Sequence, residues 1–543
     1  MDMTQFKESY KRILENLPGI REPIKKQGFR DRLKFTAIVL LIYFLMSQIL
    51  VWGIRVEGLQ QLRIFELLLA SKFGSLTTLG IGPIVVASII LQLLVGSQII
   101  NWDLKTDEGR SIFQGTQKLL AIGLCFVEGA IYVSFGAIPP EAGFVGPIPI
   151  STLVILQIAA GGILILLMDE IISKWGFGSG VSLFILAGVS STIVTRLFNP
   201  FALCTGTNCI TIFSGLGGAG LAWPSVEAQN PPLGAIPQII YFLATSDPLN
   251  AFLLGLLPVV ATGLVFLLVI FMQSVKVEIP LAFGSIRGFG RRWPLQFLYT
   301  NVIPVILIAA LLANVQMIGR IGAQPVSPDS TTVCGILGCF DNNSPVSGAV
   351  FFLQPPSSQS VAGVAIFMGL FAMIGAFAAP YIKKPAWKLS LALVPVGALA
   401  WFGLVASLGL TGMVITATDF ARILVYMGFM VGGSVIFSYF WVSTSGMDAA
   451  SIAGQIHSTG LQIPGYRRDI RIIERVLERY IPGLALLGGA AIGVLSSFAD
   501  LTSAIGSGTG LLLATMITYQ LYQEITVKYG DEMPPLMRRI IGK

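Results

Sequence analysis

The sequence predicts an all-α polytopic membrane protein of about twelve transmembrane helices. Of 543 residues, 54% are hydrophobic and only 12% charged, about half the charged share of a typical soluble domain. The mean hydropathy is +0.78. Apolar runs recur from residue 35 to the C-terminus, and a hydrocarbon core about 30 Å thick takes roughly 20 such residues per helix. The runs are continuous rather than alternating, unlike the two-residue period of a transmembrane β-barrel.

Residues 1–34 are charged and read as a cytosolic amphipathic N-terminus, without the short apolar core of a removable signal peptide. Spans are expected at 33–53, 76–96, 111–135, 150–170, 180–198, 252–272, 296–316, 362–382, 389–413, 421–443, 481–499 and 505–525. The stretch 57–73, EGLQQLRIFELLLASKF, is too short and too charged to span and reads as a half-inserted helix. The second span follows with Gly80, Gly82 and Pro83; proline suits a first helical turn, where its missing N–H has no partner to lose.

Orientation follows from Lys and Arg. Of the 35 in the chain, 28 fall in 1–34, 97–110, 171–179, 273–295, 383–388, 444–480 and 526–543, and four in 54–75 and 317–361. The positive-inside bias puts both termini in the cytosol. The outer loops 199–251 and 317–361 hold four of the five cysteines: Cys204 and Cys209 in CTGTNC, Cys334 and Cys339 in CGILGC. One disulfide per loop is expected on the side where disulfides persist. Zinc held by four thiolates is the alternative. Cys125 lies within a span and reads as a small packing residue.

A weak internal repeat is present. The second span carries GIGPIV and the seventh NVIPVI; the fifth opens with GFGSGVSLFI and the last with AIGSGTGLLL. With the eighth and ninth spans set aside, these features occupy matching positions in two halves of five spans. An odd number per half makes the halves inverted, and Gly/Pro-interrupted helices at matching positions point to a pathway between them. Gly and Pro are also simply frequent in membrane helices.

Enzymatic chemistry is not expected. The single histidine, His457, lies in an inner loop, and no metal-ligand cluster, Walker motif or Ser/His/Asp set is visible. Neither a cofactor nor a metal is expected. Ion-coupled transport needs ionisable groups at membrane depth, and the candidates are Glu128, Asp169, Glu170, Asp419 and Asp500, with Asn314 and Gln92 as polar partners for Glu128. The inner loops 273–295 and 444–480 carry Arg287, Arg291 and Arg292, and Arg467 and Arg468. Their length exceeds what anchoring needs and suits docking on a polyanion such as ribosomal RNA.

Read together, LGIGPIV…ASIILQLL, FQGTQKLL, CFVEG, MDEIISKWGFGSGVSLFI, VEIPLA, NVIPVILIAALLANVQ, FWVSTSG, GYRRD, RYIPG and GSGTGLLL occur in order over nearly the whole chain. The sequence resembles the SecY protein-conducting channels, the α subunit of the Sec translocon, in their archaeal and eukaryotic branch. The resemblance implies ten spans around an hourglass pore, with 362–382 and 389–413 as an inserted hairpin. It implies a cytosolic N-terminus (1–34), an N-terminal half (35–250, spans one to five) and spans six and seven (251–316). An external loop (317–361), the hairpin (362–413), spans eight to ten (414–525) and a cytosolic tail (526–543) complete the chain.

The same resemblance implies a pore ring of Ile81, Val85, Val181, Ile185, Ile306 and Leu513. It makes 57–73 a plug, with Leu62, Ile64, Phe65, Leu68 and Leu69 as its apolar side chains. It puts a lateral gate between the second and third spans and the family's seventh and eighth, with Ser88, Gln92, Glu128 and Asn314 as its polar positions. A gate position often threonine in relatives is Val86 here, which shrinks that polar cluster or moves it to Ser88 and Gln92. Arg287, Arg291, Arg292, Arg467 and Arg468 match the loops that dock the ribosome and the signal-recognition receptor; a neighbouring basic position is Ser285 here. The implied function is that of the pore-forming subunit of a protein translocase. Secretory polypeptides would cross through it, and transmembrane segments would leave it sideways into lipid. The implied partners are a SecE-type γ subunit and a β subunit. A secondary transporter with inverted repeats is the alternative.

Overall fold

The computed structural model describes residues 10, 17–25, 27–54, 72, 74–97, 99–100, 102, 106–134, 138–141, 143–145, 148–204, 211–213, 220–222, 231–283, 290–300, 302–319, 324–325, 332–341, 344–356, 358–382, 385–407, 415–458, 461–462 and 469–529. Its long helices are α1 (Phe29–Gln48), α2 (Gly82–Gly96), α3 (Asp107–Ser134), α4 (Ile150–Trp175) and α5 (Gly180–Phe198). A short outer helix, α6 (Ala235–Ala244), precedes α7 (Leu257–Ser274), which a π-helical turn over Ala251–Leu256 leads into. Then come α8 (Ile303–Ile318), α9 (Gln359–Ile382), α10 (Ala386–Ser407), α11 (Ala417–Thr444), α12 (Ala449–Ser458), α13 (Ile470–Leu501) and α14 (Gly508–Tyr529).

A helix stands at each of the twelve expected positions, but the count of twelve spans is not reached. Among the described residues, eight helices are long and apolar enough to cross a membrane. The charged start of α1 and the polar second half of α14 dilute their apolar runs. The other two shortfalls have one cause. The second span was expected from residue 76, yet α2 begins at Gly82 after a run of turns; the seventh was expected from 296, yet α8 begins at Ile303. In α2 a proline stands in the first turn, and Pro304 takes the same place in α8. The fifteen residues of α2 rise about 22 Å at 1.5 Å each, short of a full hydrocarbon core.

The loops are more ordered than their composition suggests. The outer loop after α5 contains a three-stranded antiparallel sheet in the order β3–β5–β4, built of Ala202–Cys204, Gly220–Ala222 and Thr211–Phe213; β1 (Phe144–Val145) and β2 (Ile148–Pro149) form a small hairpin before α4. The inner loop 273–295 is a hairpin of β6 (Lys276–Phe283) and β7 (Gly290–Gln296). The outer loop after α8 forms a four-stranded sheet of β8 (Gln324–Pro325), β9 (Thr332–Gly335), β10 (Gly338–Asp341) and β11 (Ser344–Gly348). The remaining strand, β12 (Leu461–Gln462), pairs with β6 and so joins the two basic inner loops into one sheet.

One hydrophobic core runs through the bundle and draws residues from both halves, including Ile165 and Phe184 from the first and Ile492 and Leu512 from the second. The inserted hairpin is tightly closed. A side chain at Gly397 would meet the Phe367 carbonyl oxygen at 2.5 Å, and one at Gly375 would meet Ser390 Cα at 2.7 Å. Small residues that let backbones approach are what hold helices together where lipid offers no hydrophobic drive. The hairpin packs against α7 and α13, and Trp401 is wholly buried in the main core.

Candidate functional site

Four helices start near one another in the core: α2, α5, α8 and α14. Ile81, Val85, Ile185, Ile306 and Leu513 are all buried members of the same apolar cluster, and half-buried Val181 packs against it. All six expected ring residues thus belong to, or pack against, the apolar cluster that runs through the bundle. Each sits within the first two turns of its helix or at its N-cap. In α2 the Val85 N–H donates to the Ile81 carbonyl at 3.1 Å; in α8 the Ile306 N–H donates to the Val302 carbonyl at 3.1 Å. The proline two residues before each donor cannot donate, so both helices open on the same turn. All six side chains are aliphatic and offer no ligand to an ion.

Beside it, α2 packs against both α8 and α11. A side chain at Gly96 would stand 2.5 Å from the Phe440 ring, so the C-terminal ends of α2 and α11 are in direct contact. Of the expected gate residues, Ser88 accepts a bond from Gln117 Nε2 at 2.6 Å. Gln92 and Glu128 are buried. The Asn314 side-chain amide donates to the Ala310 carbonyl, one turn back in its own helix, at 2.9 Å. Gln92 Oε1 is buried without a hydrogen bond.

The other acids considered for an ion relay are engaged structurally. Asp419 forms a capping box with Thr416 at the start of α11. Glu170 is held by Lys118 at 2.6 Å and Lys174 at 2.8 Å. Asp169 accepts from the Val181 N–H at 2.8 Å, and Asp500 from the Thr509 N–H at 2.7 Å. Arg422 lies over the Phe351 ring and donates to the Phe351, Gln354 and Pro355 carbonyls, pinning the start of α11 to the outer loop.

On the inner side, Arg291 and Arg292 stand in β7 opposite Leu281 and Pro280. Arg287, Arg467 and Arg468 lie outside the described residues, as do the plug residues Leu62, Ile64, Phe65, Leu68 and Leu69. Tyr299, just after β7, donates to the Met447 carbonyl at 2.7 Å and ties the inner sheet to the segment between α11 and α12. Burial, with Asp448 nearby, pushes its hydroxyl well above the usual phenol range. Sequence reasoning missed this sheet, although the polar–apolar alternation of KVEI is a strand signal.

On the outer side, Cys334 and Cys339 are disulfide-bonded and face each other across β9 and β10, which removes two of the four thiolates a shared zinc would need. Cys204 ends β3, and Cys209 lies outside the described residues. Cys125 is a buried free thiol.

The SecY family model matches residues 75–522. A protein translocase subunit SecY of Archaeoglobus fulgidus is 37% identical, over 97% of this chain and 97% of its own. A solved SecY, described as a translocation channel whose plug domain stabilises the closed state, superposes with a TM-score of 0.69 at 33% identity, covering 96% of this chain and 97% of that one. Sec61 from a canine ribosome–channel complex of the endoplasmic reticulum gives 0.67 at 34% identity, covering 96% and 97%. The similarity spans both halves of the chain, which belongs to the SecY family.

Proposed function

We propose that this chain is the central pore-forming subunit of a Sec protein translocase, passing unfolded secretory polypeptides across the membrane and releasing transmembrane segments sideways into lipid. One observation carries the reading: six aliphatic residues, drawn from helix starts in both halves, lie in or against one continuous apolar cluster. Such a constriction dewets and resists ions, yet flexible aliphatic side chains mould around a passing chain. A transporter would instead need convergent ionisable groups at the midplane, and four of the five candidate acids are occupied as helix caps or in an ion pair.

Sideways release is a partition. Central leucines favour lipid by about 0.5 kcal/mol each and a central arginine opposes it by about 3 kcal/mol. The exit is the seam between α2 and α3 on one side and α8 and α11 on the other. The Gly96–Phe440 approach and the packing of α2 on α8 and α11 support a closed seam. Residues 57–73 act as the plug. Both termini are cytosolic, from the charge bias, and the inner hairpin with Arg287, Arg291 and Arg292 and the loop with Arg467 and Arg468 dock a ribosome or the signal-recognition receptor. The likeness to Sec61 in a ribosome complex supports the ribosome; the resemblance to the family supports a SecE-type γ subunit and a β subunit. The chain supplies no energy of its own, so a translating ribosome or another motor pushes. The inserted hairpin, on the α7 and α13 side, leaves the α2–α8 contact clear.

The test is crosslinking of a stalled nascent chain to single cysteines replacing Ile81 and Ile306 in assembled membranes. Crosslinks at both are expected; none at either would remove the channel reading.

A further inference from the structure

Two of the four helices that build the constriction begin with the same device, one in each half. Before α5, Gly178 adopts φ +66°; before α14, Gly506 adopts φ +96°. Two residues on, Gly180 lies so close to α4 that a side chain there would stand 2.6 Å from Asp169 Cα. Gly508 lies so close to α13 that a side chain would stand 2.2 Å from the Asp500 nitrogen. One residue further, the Val181 N–H donates to Asp169 Oδ1 at 2.8 Å, and the Thr509 N–H donates to Asp500 Oδ1 at 2.7 Å. The Gly180 and Gly508 N–H groups interact with the same two carboxylates. In the second half the clasp is reinforced: Thr509 Oγ1 also donates to Asp500 Oδ2, and the Tyr426 hydroxyl does so at 2.6 Å.

A helix start is ordinarily capped by the residue immediately before it, whose side chain takes up one of the free N–H groups. Ser179 makes no such bond. The acceptor comes from the preceding antiparallel helix, 12 residues back in the first half, where it replaces the missing cap, and nine back in the second, where it acts beside the local cap that Ser507 Oγ makes with the Gly510 N–H at 3.0 Å. A carboxylate at a helix N-terminus is also favoured by the macrodipole. A cap borrowed from a neighbouring helix does what a local cap does not: it fixes the axial level of one helix against another. Val181 is itself a ring residue, Ile185 stands one turn further on, and Leu513 stands one turn after Thr509. Both carboxylates thus act on the same register, one turn before a ring side chain.

We propose that Asp169 and Asp500 are positioning residues that set the height at which α5 and α14 present their constriction side chains, so that the seal between the two inverted halves closes at one level. This rests on the constriction reading above. It assigns these two carboxylates a mechanical role rather than one in proton or ion transfer.

The test is resting ion conductance of the assembled channel in planar bilayers. Asp169→Ala and Asp500→Ala are each expected to raise it about fivefold, the population change that loss of a typical cap produces. Asp169→Asn and Asp500→Asn keep an acceptor oxygen and are expected to restore most of the seal. Asp169→Glu keeps the charge but lengthens the arm, and is expected to leak more than Asn does. Asp419→Ala removes a cap of ordinary kind on α11 and is expected to leave conductance unchanged at a comparable loss of thermal stability. Alanine variants that seal like wild type, or Asn variants that leak as much as Ala, would overturn the proposal. If the alanine variants fail to assemble, the Glu variant decides: sealing as well as Asn refutes a set height. An Ile185→Ala/Ile306→Ala channel measured alongside separates the two readings. If it leaks and the aspartate variants do not, only the positioning role falls; if it too seals, the constriction reading falls.

Discussion

Truncating two opposed constriction residues, Ile185→Ala together with Ile306→Ala, should turn a dry seal into a leak. Ile185 is 0% exposed and Ile306 8%, and they come from different halves. The double variant removes six carbons. At ~0.8 kcal/mol per buried methylene the apolar loss is about 5 kcal/mol. The space vacated takes about five waters at ~30 Å³ each. A dewetted constriction is a balance between a dry and a wet state. Each 1.4 kcal/mol moved toward the wet state raises its population tenfold, so even a quarter of that loss gives about a tenfold rise in resting conductance. The assay is planar-bilayer conductance of the purified complex without substrate. The control is Ile158→Ala with Ile165→Ala, both on α4 and both 0% exposed. At roughly 2–5 kcal/mol per site that pair destabilises the fold comparably, but it lies outside the ring and should not leak. Equal conductance in the ring variant and wild type would refute the reasoning, as would equal leaks in the ring and control variants.

Three further outcomes follow from the packing. Gly161→Ala should cost at least ~2 kcal/mol or abolish assembly, because its Cβ would fall 1.9 Å from the Leu76 carbonyl oxygen, whereas Gly123→Ala, with nothing within 4 Å, should be neutral or stabilising by up to ~1 kcal/mol; thermal melts of the two read the difference, and similar melting temperatures would contradict it. Non-reducing mass spectrometry should find Cys334 and Cys339 linked, and closing a loop of separation 5 should contribute about 2 kcal/mol by chain entropy; two alkylatable thiols in protein from an oxidising compartment would contradict the pairing. Replacing Glu170 by Gln should leave Lys118 and Lys174 without their shared partner, and a double-mutant cycle with Lys118→Met should return roughly 1 kcal/mol of coupling for this partly buried pair; zero coupling would place both lysines in free solvent.

Helix identity was legible because the bilayer imposes it: a run such as MIGAF within α9 has no way to hide its backbone but to coil. The residues proposed for the constriction stand out through their neighbours rather than themselves. Ile81 and Ile306 are two of many isoleucines, and only the adjoining GIGPIV and NVIPVI marked them. Asp169 and Asp500 were read as candidate relay acids because a carboxylate in an apolar run announces cost, not purpose. The bond that explains each runs to a backbone N–H on the next helix, which spacing alone does not reveal. Asn314 shows the same limit: its type suggested a partner across the seam, and the bond to the Ala310 carbonyl of its own helix is not visible from residue type.

The sequence by itself determined that the chain lies in a membrane, the approximate place of each helix, and the repeat of Gly/Pro-marked starts, because hydropathy and backbone chemistry act locally. The tertiary structure alone decided that four of those starts converge, that the basic inner loops share a sheet through β12 and β6, and that the two aspartates cap helices they do not belong to. Those are contacts between residues far apart in the chain or on different helices, and in an apolar bundle their geometry is set by which small residues let backbones meet.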